Sequence, residues 1–146
     1  NDLGRVCIPG TIHVPSFMSI ERYSHVMHLV SRVRGKLRPG FQGIDALKAC
    51  FPIGTLTGAP KLRAIRLITE LEHEGRGPYC GAVGWFGTNG NIETGTLIRS
   101  IILKDGLAHI QGGGGIVFDS NPLSEYNESL YKIEASLVAI RRAEQK

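Results

Sequence analysis

The sequence has no apolar run near the roughly 20 residues that a membrane-spanning helix needs. It has no recognisable signal peptide, internal repeat, low-complexity tract or linker, so a cytoplasmic location is expected. Cysteine is scarce: Cys7, Cys50 and Cys80 are odd in number and far apart, and no CxxC pair exists. That excludes a disulfide framework and makes a reducing compartment the default. His25 and His28 have no third ligand and no HExxH beside them, which argues against zinc. The basic stretch Arg32, Arg34, Lys36 and Arg38 has no interleaved aromatics, so nucleic acid is not an expected partner. The formal charge of +4 is mild enough to serve solubility alone.

Glycine is what the sequence has in excess, at 19 of 146 residues, about twice the ordinary share. Twelve lie between Gly75 and Gly115, without the Gly-X-Y period of collagen. The length suits one domain with its own core. The chain starts Asn1-Asp2-Leu3-Gly4 without a Met, so a piece of something longer is expected.

Periodicity gives a coarse plan of α+β class. Ile20, Tyr23, Met27 and Val30 recur at helical steps, predicting a helix from Ser19 to about Val33 closed by Gly35. A short helix is expected over 45–50. A loop follows over 54–61, leading into a second helix with Pro60 in its first turn and Gly75 at its end. The alternation around Ala82–Phe86 followed by Asn89-Gly90 predicts a hairpin. A long strand over 92–103, a third over 107–111 and a fourth over 116–118 would complete an antiparallel meander. Leu123, Tyr126, Leu130, Ile133, Leu137 and Ile140 step by three and four residues and predict a five-turn amphipathic helix.

Several groups have the chemistry of an anion site. Glu125, Glu128 and Lys132 at i, i+3, i+7 share a helix stripe. A solvated face with an i,i+4 ion pair is the bland explanation, and a hard-cation site for Mg²⁺ the functional one. The Gly112–Gly115 run precedes a strand, which removes it from the dinucleotide-binding context. It marks either a crowded strand junction or a backbone approached by an anion. The Gly54–Lys61 loop lacks the GK[ST] ending of a P-loop, so nucleotide binding is rejected there. An inward Arg99 needs a partner such as a carboxylate, and Tyr79 is either core or an O–H donor.

Taken in order, these motifs resemble the C-terminal part of the chorismate-binding enzymes, component I of anthranilate synthase or of aminodeoxychorismate synthase. The resemblance covers nearly the whole chain. It rests on Asn1–Val6, Arg22–Ser31, Gly54–Lys61, Arg76–Gly81, Ile98-Arg99, Gly113–Val117, Asp119-Ser120, and Glu125-Tyr126-Asn127-Glu128 with Lys132.

The resemblance implies roles position by position. His28 corresponds to a general acid for departure of the ring hydroxyl, and Thr55 lies beside the substrate. Tyr79 and Arg99 hold the pyruvyl carboxylate, and Gly113, Gly114 and Gly115 meet the ring carboxylate. Glu128 is a Mg²⁺ ligand, Glu125 a neighbour acting directly or through water, and Lys132 a substrate-side amine. A glutamine amidotransferase subunit or domain supplies ammonia. The implied fold is about half of a sandwich of two antiparallel sheets with outer helices, residues 1–146 being the C-terminal portion of a catalytic domain. The family's other metal-binding glutamates lie upstream of the segment that corresponds to Asn1–Gly4. The isolated chain is therefore expected to bind Mg²⁺ and chorismate poorly and to be inactive.

Two products stay open. The segments Arg22–Ser31 and Gly54-Thr55 are more like anthranilate synthase, whereas Thr57 and the unbroken Gly112–Gly115 run are more like aminodeoxychorismate synthase. The balance leans slightly to anthranilate. Isochorismate and salicylate synthases differ over the segment matching Thr57–Lys61 and are disfavoured. A non-catalytic interaction fragment is the remaining alternative.

Overall fold

The structure is a computed structural model that describes residues 1–23 and 27–145. It mixes helices with antiparallel strand pairs, the expected α+β class. Two compact units divide the chain: residues 1–51 with 86–92, and residues 52–85 with 93–146. Among the described residues, no helix is long and apolar enough to cross a membrane.

In the first unit a 3-10 turn, Leu3–Arg5, leads to β1 (His13–Arg22) and β2 (Met27–Arg34). The helix expected from Ser19 to Val33 is therefore a hairpin. Its register sets Ser19 against Val30, Ile20 against Leu29 and Glu21 against His28. Two causes override the helical spacing. Val14, Ile20, Val30 and Val33 are β-branched and stiff at χ1, which favours the pleat. Serines also serve the ladder: the Ser19 hydroxyl donates to the Val30 carbonyl at 3.0 Å, and the Met18 N–H donates to the Ser31 hydroxyl at 3.0 Å. His25 lies outside the described residues.

The buried centre of this unit is small. Val6 and Cys7 are buried, and Cys7 bridges antiparallel to Leu37. Gly35 ends no helix; it passes so close to Cys7 that a methyl group there would lie 2.8 Å from the Cys7 Sγ. The short helix α1 (Gly43–Cys50) starts from a reciprocal cap, in which Gln42 and Asp45 each bond the other's backbone N–H. Phe41 lies under the Arg38 guanidinium, 4.9 Å from its carbon.

The second unit carries most of the chemistry-bearing residues. The expected loop over 54–61 contains one helical turn, α2 (Gly54–Thr57). α3 (Lys61–Leu71) follows, with Pro60 as its N-cap, and it stops four residues before Gly75. β3 (Ala82–Phe86) and β4 (Ile92–Thr96) form the predicted hairpin, with Gly90 at φ +84° in a tip that belongs to the first unit.

The single long strand expected over 92–103 is broken. β4 ends at Thr96, Arg99 takes φ +54°, and β5 (Ile101–Lys104) starts a separate pairing with β6 (Leu107–Ile110). No fourth strand forms over 116–118. The Ser120 N–H donates to the Val117 carbonyl and the Val117 N–H to the Ser120 hydroxyl, which makes a turn instead.

α4 (Pro122–Glu144) runs 23 residues as its pattern predicts. Asn121 caps it by accepting the Ser124 N–H at 3.1 Å, Pro122 occupies the first turn, and Glu125 and Arg141/Arg142 complement the helix dipole. Gly112 passes over this helix. A methyl group there would lie 2.5 Å from Ile133 Cγ2 and 3.1 Å from the Ser129 carbonyl. Gly112→Ala in the full-length protein should therefore cost about 1–3 kcal/mol in urea unfolding, as overpacking does. Adding Ile133→Ala should return part of that loss; strictly additive losses would show that the approach is not what requires glycine.

Candidate functional site

Within the second unit the first turns of α4 face the glycine run. Successive residues of a helix three and four apart share a face, so Glu125, Glu128 and Lys132 present their heads together. Gly114 marks their meeting point. A methyl group on it would lie 3.4 Å from Glu125 Oε2, 3.8 Å from Glu128 Oε1 and 3.8 Å from Lys132 Nζ. Lys132 forms an ion pair with Glu128 and donates to the Gly113 carbonyl at 3.1 Å. On the other side of the run the Tyr79 hydroxyl stands 3.2 Å from the place a Gly113 Cβ would take. Tyr79, Gly113, Gly114, Glu125, Glu128 and Lys132 are thus brought together. Gly115 follows in open space.

Among the described residues, Glu125 is held through Oε1. Ser120 donates its hydroxyl to Oε1 at 2.7 Å, which leaves Oε2 turned to Gly114. Among the described residues no three or more His, Cys, Asp and Glu cluster as a complete metal cage. Two carboxylates converging on one spot still suit Mg²⁺, which takes one or two protein oxygens and fills its octahedron with water and substrate. Glu125 and Glu128 are the residues that could hold such an ion, Glu128 by exchanging its Oε1 pairing with Lys132.

Tyr79 stands in a turn closed by its own N–H donating to the Arg76 carbonyl at 3.0 Å, with Gly77 at φ +54°. Burial pushes its phenol up, with the neighbouring Cys80 adding to the shift. It therefore stays protonated at neutral pH and is a hydrogen-bond donor. The next residues join β4's exit: the Cys80 N–H donates to the Leu97 carbonyl at 2.9 Å, and the Leu97 N–H to the Gly81 carbonyl at 3.0 Å. Arg99 stands two residues beyond that pairing and is exposed.

Thr55 is exposed on α2. His28 is on β2 of the first unit, opposite Glu21 in the ladder and with its ring edge-on to Tyr23 at 6.2 Å.

Arg76 and Ser120 have no role in the sequence reading. Ser120 was visible only as part of Asp119-Ser120, and its bond to Glu125 depends on the turn at 117–120. Arg76 had a local signal in its i,i+4 spacing from Glu72. It donates Nε to Glu72 Oε2 at 2.8 Å and Nη2 to Oε1 at 2.5 Å. That bidentate bond raises the guanidinium pKa and holds Glu72 below the usual carboxylate range.

A family model described as chorismate binding enzyme matches residues 1–138. The chain is 52% identical over 144 residues to a Streptomyces coelicolor protein named anthranilate synthase component 1, covering 99% of this chain and 28% of that one. It is 49% identical to the protein of the same name from Saccharolobus solfataricus, covering 96% of this chain and 33% of that one. The crystal structure of anthranilate synthase component I from Streptococcus pneumoniae superposes with a TM-score of 0.87 at 45% identity, over 92% of this chain and 31% of that one. The chain thus spans about a third or less of the length of these relatives.

Proposed function

The chain belongs to the family of chorismate binding enzymes, and we propose that it is the C-terminal portion of a catalytic domain that aminates chorismate to anthranilate. One observation carries the reading. Glu125, Glu128 and Lys132 converge on Gly114, with Tyr79 across the same glycine run, in a chain about half identical to proteins named anthranilate synthase component 1.

The chemistry follows from the groups. Chorismate carries two carboxylates, so its site needs cations and backbone N–H groups. Arg99 and the Tyr79 hydroxyl hold the pyruvyl carboxylate, and Gly113–Gly115 with Lys132 meet the ring carboxylate. Glu128 and Glu125 would hold Mg²⁺, which supplies Lewis-acid polarisation of the bound substrate when present. Thr55 lines the substrate. His28 gives a proton to the departing ring hydroxyl, which leaves as water while ammonia forms the new C–N bond. Elimination of pyruvate then restores the aromatic ring. Ammonia comes from a glutamine amidotransferase subunit or domain, and the whole operates in the cytoplasm.

The full-length protein supplied with chorismate, Mg²⁺ and ammonia should release fluorescent anthranilate. Accumulation of 4-amino-4-deoxychorismate, read as p-aminobenzoate after adding its lyase, would assign the other product. No amination at all would reject the enzymatic reading. The 146-residue chain alone should turn over nothing.

A further inference from the structure

We propose that Arg76 is a positioning residue that locks the Thr55 and Tyr79 segments into one site. The proposal rests on the function above, because it gives those two residues a shared substrate.

Arg76 reaches three separate pieces of the second unit. Nη1 donates to the carbonyl of Leu56, the residue after Thr55, at 2.9 Å, and reaches Cys80 Sγ, the residue after Tyr79, at 3.5 Å. Nε and Nη2 clasp the Glu72 carboxylate just past the end of α3. The same residue's carbonyl accepts the Tyr79 N–H and closes that turn. From Cys80 the connection continues through backbone bonds to Leu97, two residues before Arg99. One planar guanidinium thus ties the Thr55 and Tyr79 segments together, with Glu72 as its fixed anchor.

The geometry demands arginine. Lysine is a single point donor and cannot clasp Glu72 through two nitrogens while also reaching the Leu56 carbonyl. Arg76 is only 23% exposed and its bonds to Leu56 and Cys80 are half-buried, whereas its carboxylate partner Glu72 is in reach of water. Leu56 lies in a four-residue turn and Tyr79 in a loop turn just before the Cys80 and Gly81 bonds to Leu97. Those backbone bonds fix the C-terminal side of the Tyr79 turn, and the Arg76 clasp ties that turn to Leu56. Misplacing substrate-holding groups by about 1 Å can cost about 10²-fold in rate.

The test is a double-mutant cycle in the full-length enzyme, with kcat and KM for chorismate measured separately. Arg76→Met should lower kcat/KM about 100-fold, mostly through KM, and Arg76→Lys should recover only part of it. Tyr79→Phe should cost less alone, and next to nothing further in the Arg76→Met background, because its hydroxyl is already misplaced there. Losses that multiply would overturn the positioning role. A Tyr79→Phe variant as active as wild type would instead sink the substrate assignment beneath it, which is a distinguishable result. Should Arg76→Met fail to fold, Glu72→Gln combined with Tyr79→Phe reads the same coupling. It leaves the arginine in place and removes only its anchor, and multiplying losses there overturn the proposal equally.

Discussion

Glu128→Gln in the full-length protein is expected to cut chorismate turnover by about 10²–10³-fold with no loss of thermal stability. The size is that of removing one preorganised electrostatic contact to a charge-developing substrate. The fold should not notice, because the Glu128 side chain is 54% exposed and its pairing with Lys132 is of the surface i,i+4 kind. Gln keeps the shape and removes the charge. Lys132 keeps its bond to the Gly113 carbonyl, so the glycine run stays anchored. Calorimetric titration with Mg²⁺ should show the metal affinity falling in parallel. Turnover reduced less than tenfold, or unchanged Mg²⁺ affinity, would remove Glu128 from the metal site.

Gly114→Ala should cost about 10²-fold in kcat/KM, again with little change in stability. Its methyl group would sit 3.4 Å from Glu125 Oε2 and 3.8 Å from both Glu128 Oε1 and Lys132 Nζ. Those are ordinary contact distances, so the fold tolerates it. A substrate carboxylate approaching the backbone there does not, and displacement of a reacting group by about 1 Å is worth about that factor. Gly95→Ala is the matched control, since its methyl group would meet nothing within 4 Å. Equal kinetics for the two variants would mean that no ligand comes near Gly114. The contrast with Gly112 sharpens the point, because that glycine answers to Ile133 and should show itself in stability.

These expectations depend on elements of unequal legibility. α4 was readable almost to its ends because one stripe persists over five turns and because Asn121-Pro122 is a strong start signal. The same periodicity puts Glu125, Glu128 and Lys132 on one face. Asn89-Gly90 announced its hairpin for a similarly local reason, as the tip needs a positive φ. The first hairpin was misread because Ile20, Tyr23, Met27 and Val30 satisfy a helical step while also fitting two paired strands. The β-branched residues and the cross-strand bonds of Ser19 and Ser31 decide for the strands.

Gly95 is the one local signal of a break in the strand over 92–103, and Leu97-Ile98-Arg99 after it reads as continuous strand. The site's supporting contacts were the least visible. Ser120 to Glu125 and Arg76 to Leu56 join residues through tertiary geometry, and spacing does not encode it.

The break at Arg99 carries a consequence of its own. An arginine at φ +54° occupies backbone space that glycine enters freely and a residue with a Cβ enters at a penalty of about 1 kcal/mol. This chain has glycine in abundance and uses it at six other positive-φ positions, yet it places a long cation here. Met18, Cys80 and Asp105 take positive φ as well, so the local cost at position 99 is one that this fold accepts at several non-glycine residues. Arg99→Gly should therefore leave the fold at least as stable in urea unfolding, and any loss of turnover in that variant reads the guanidinium alone.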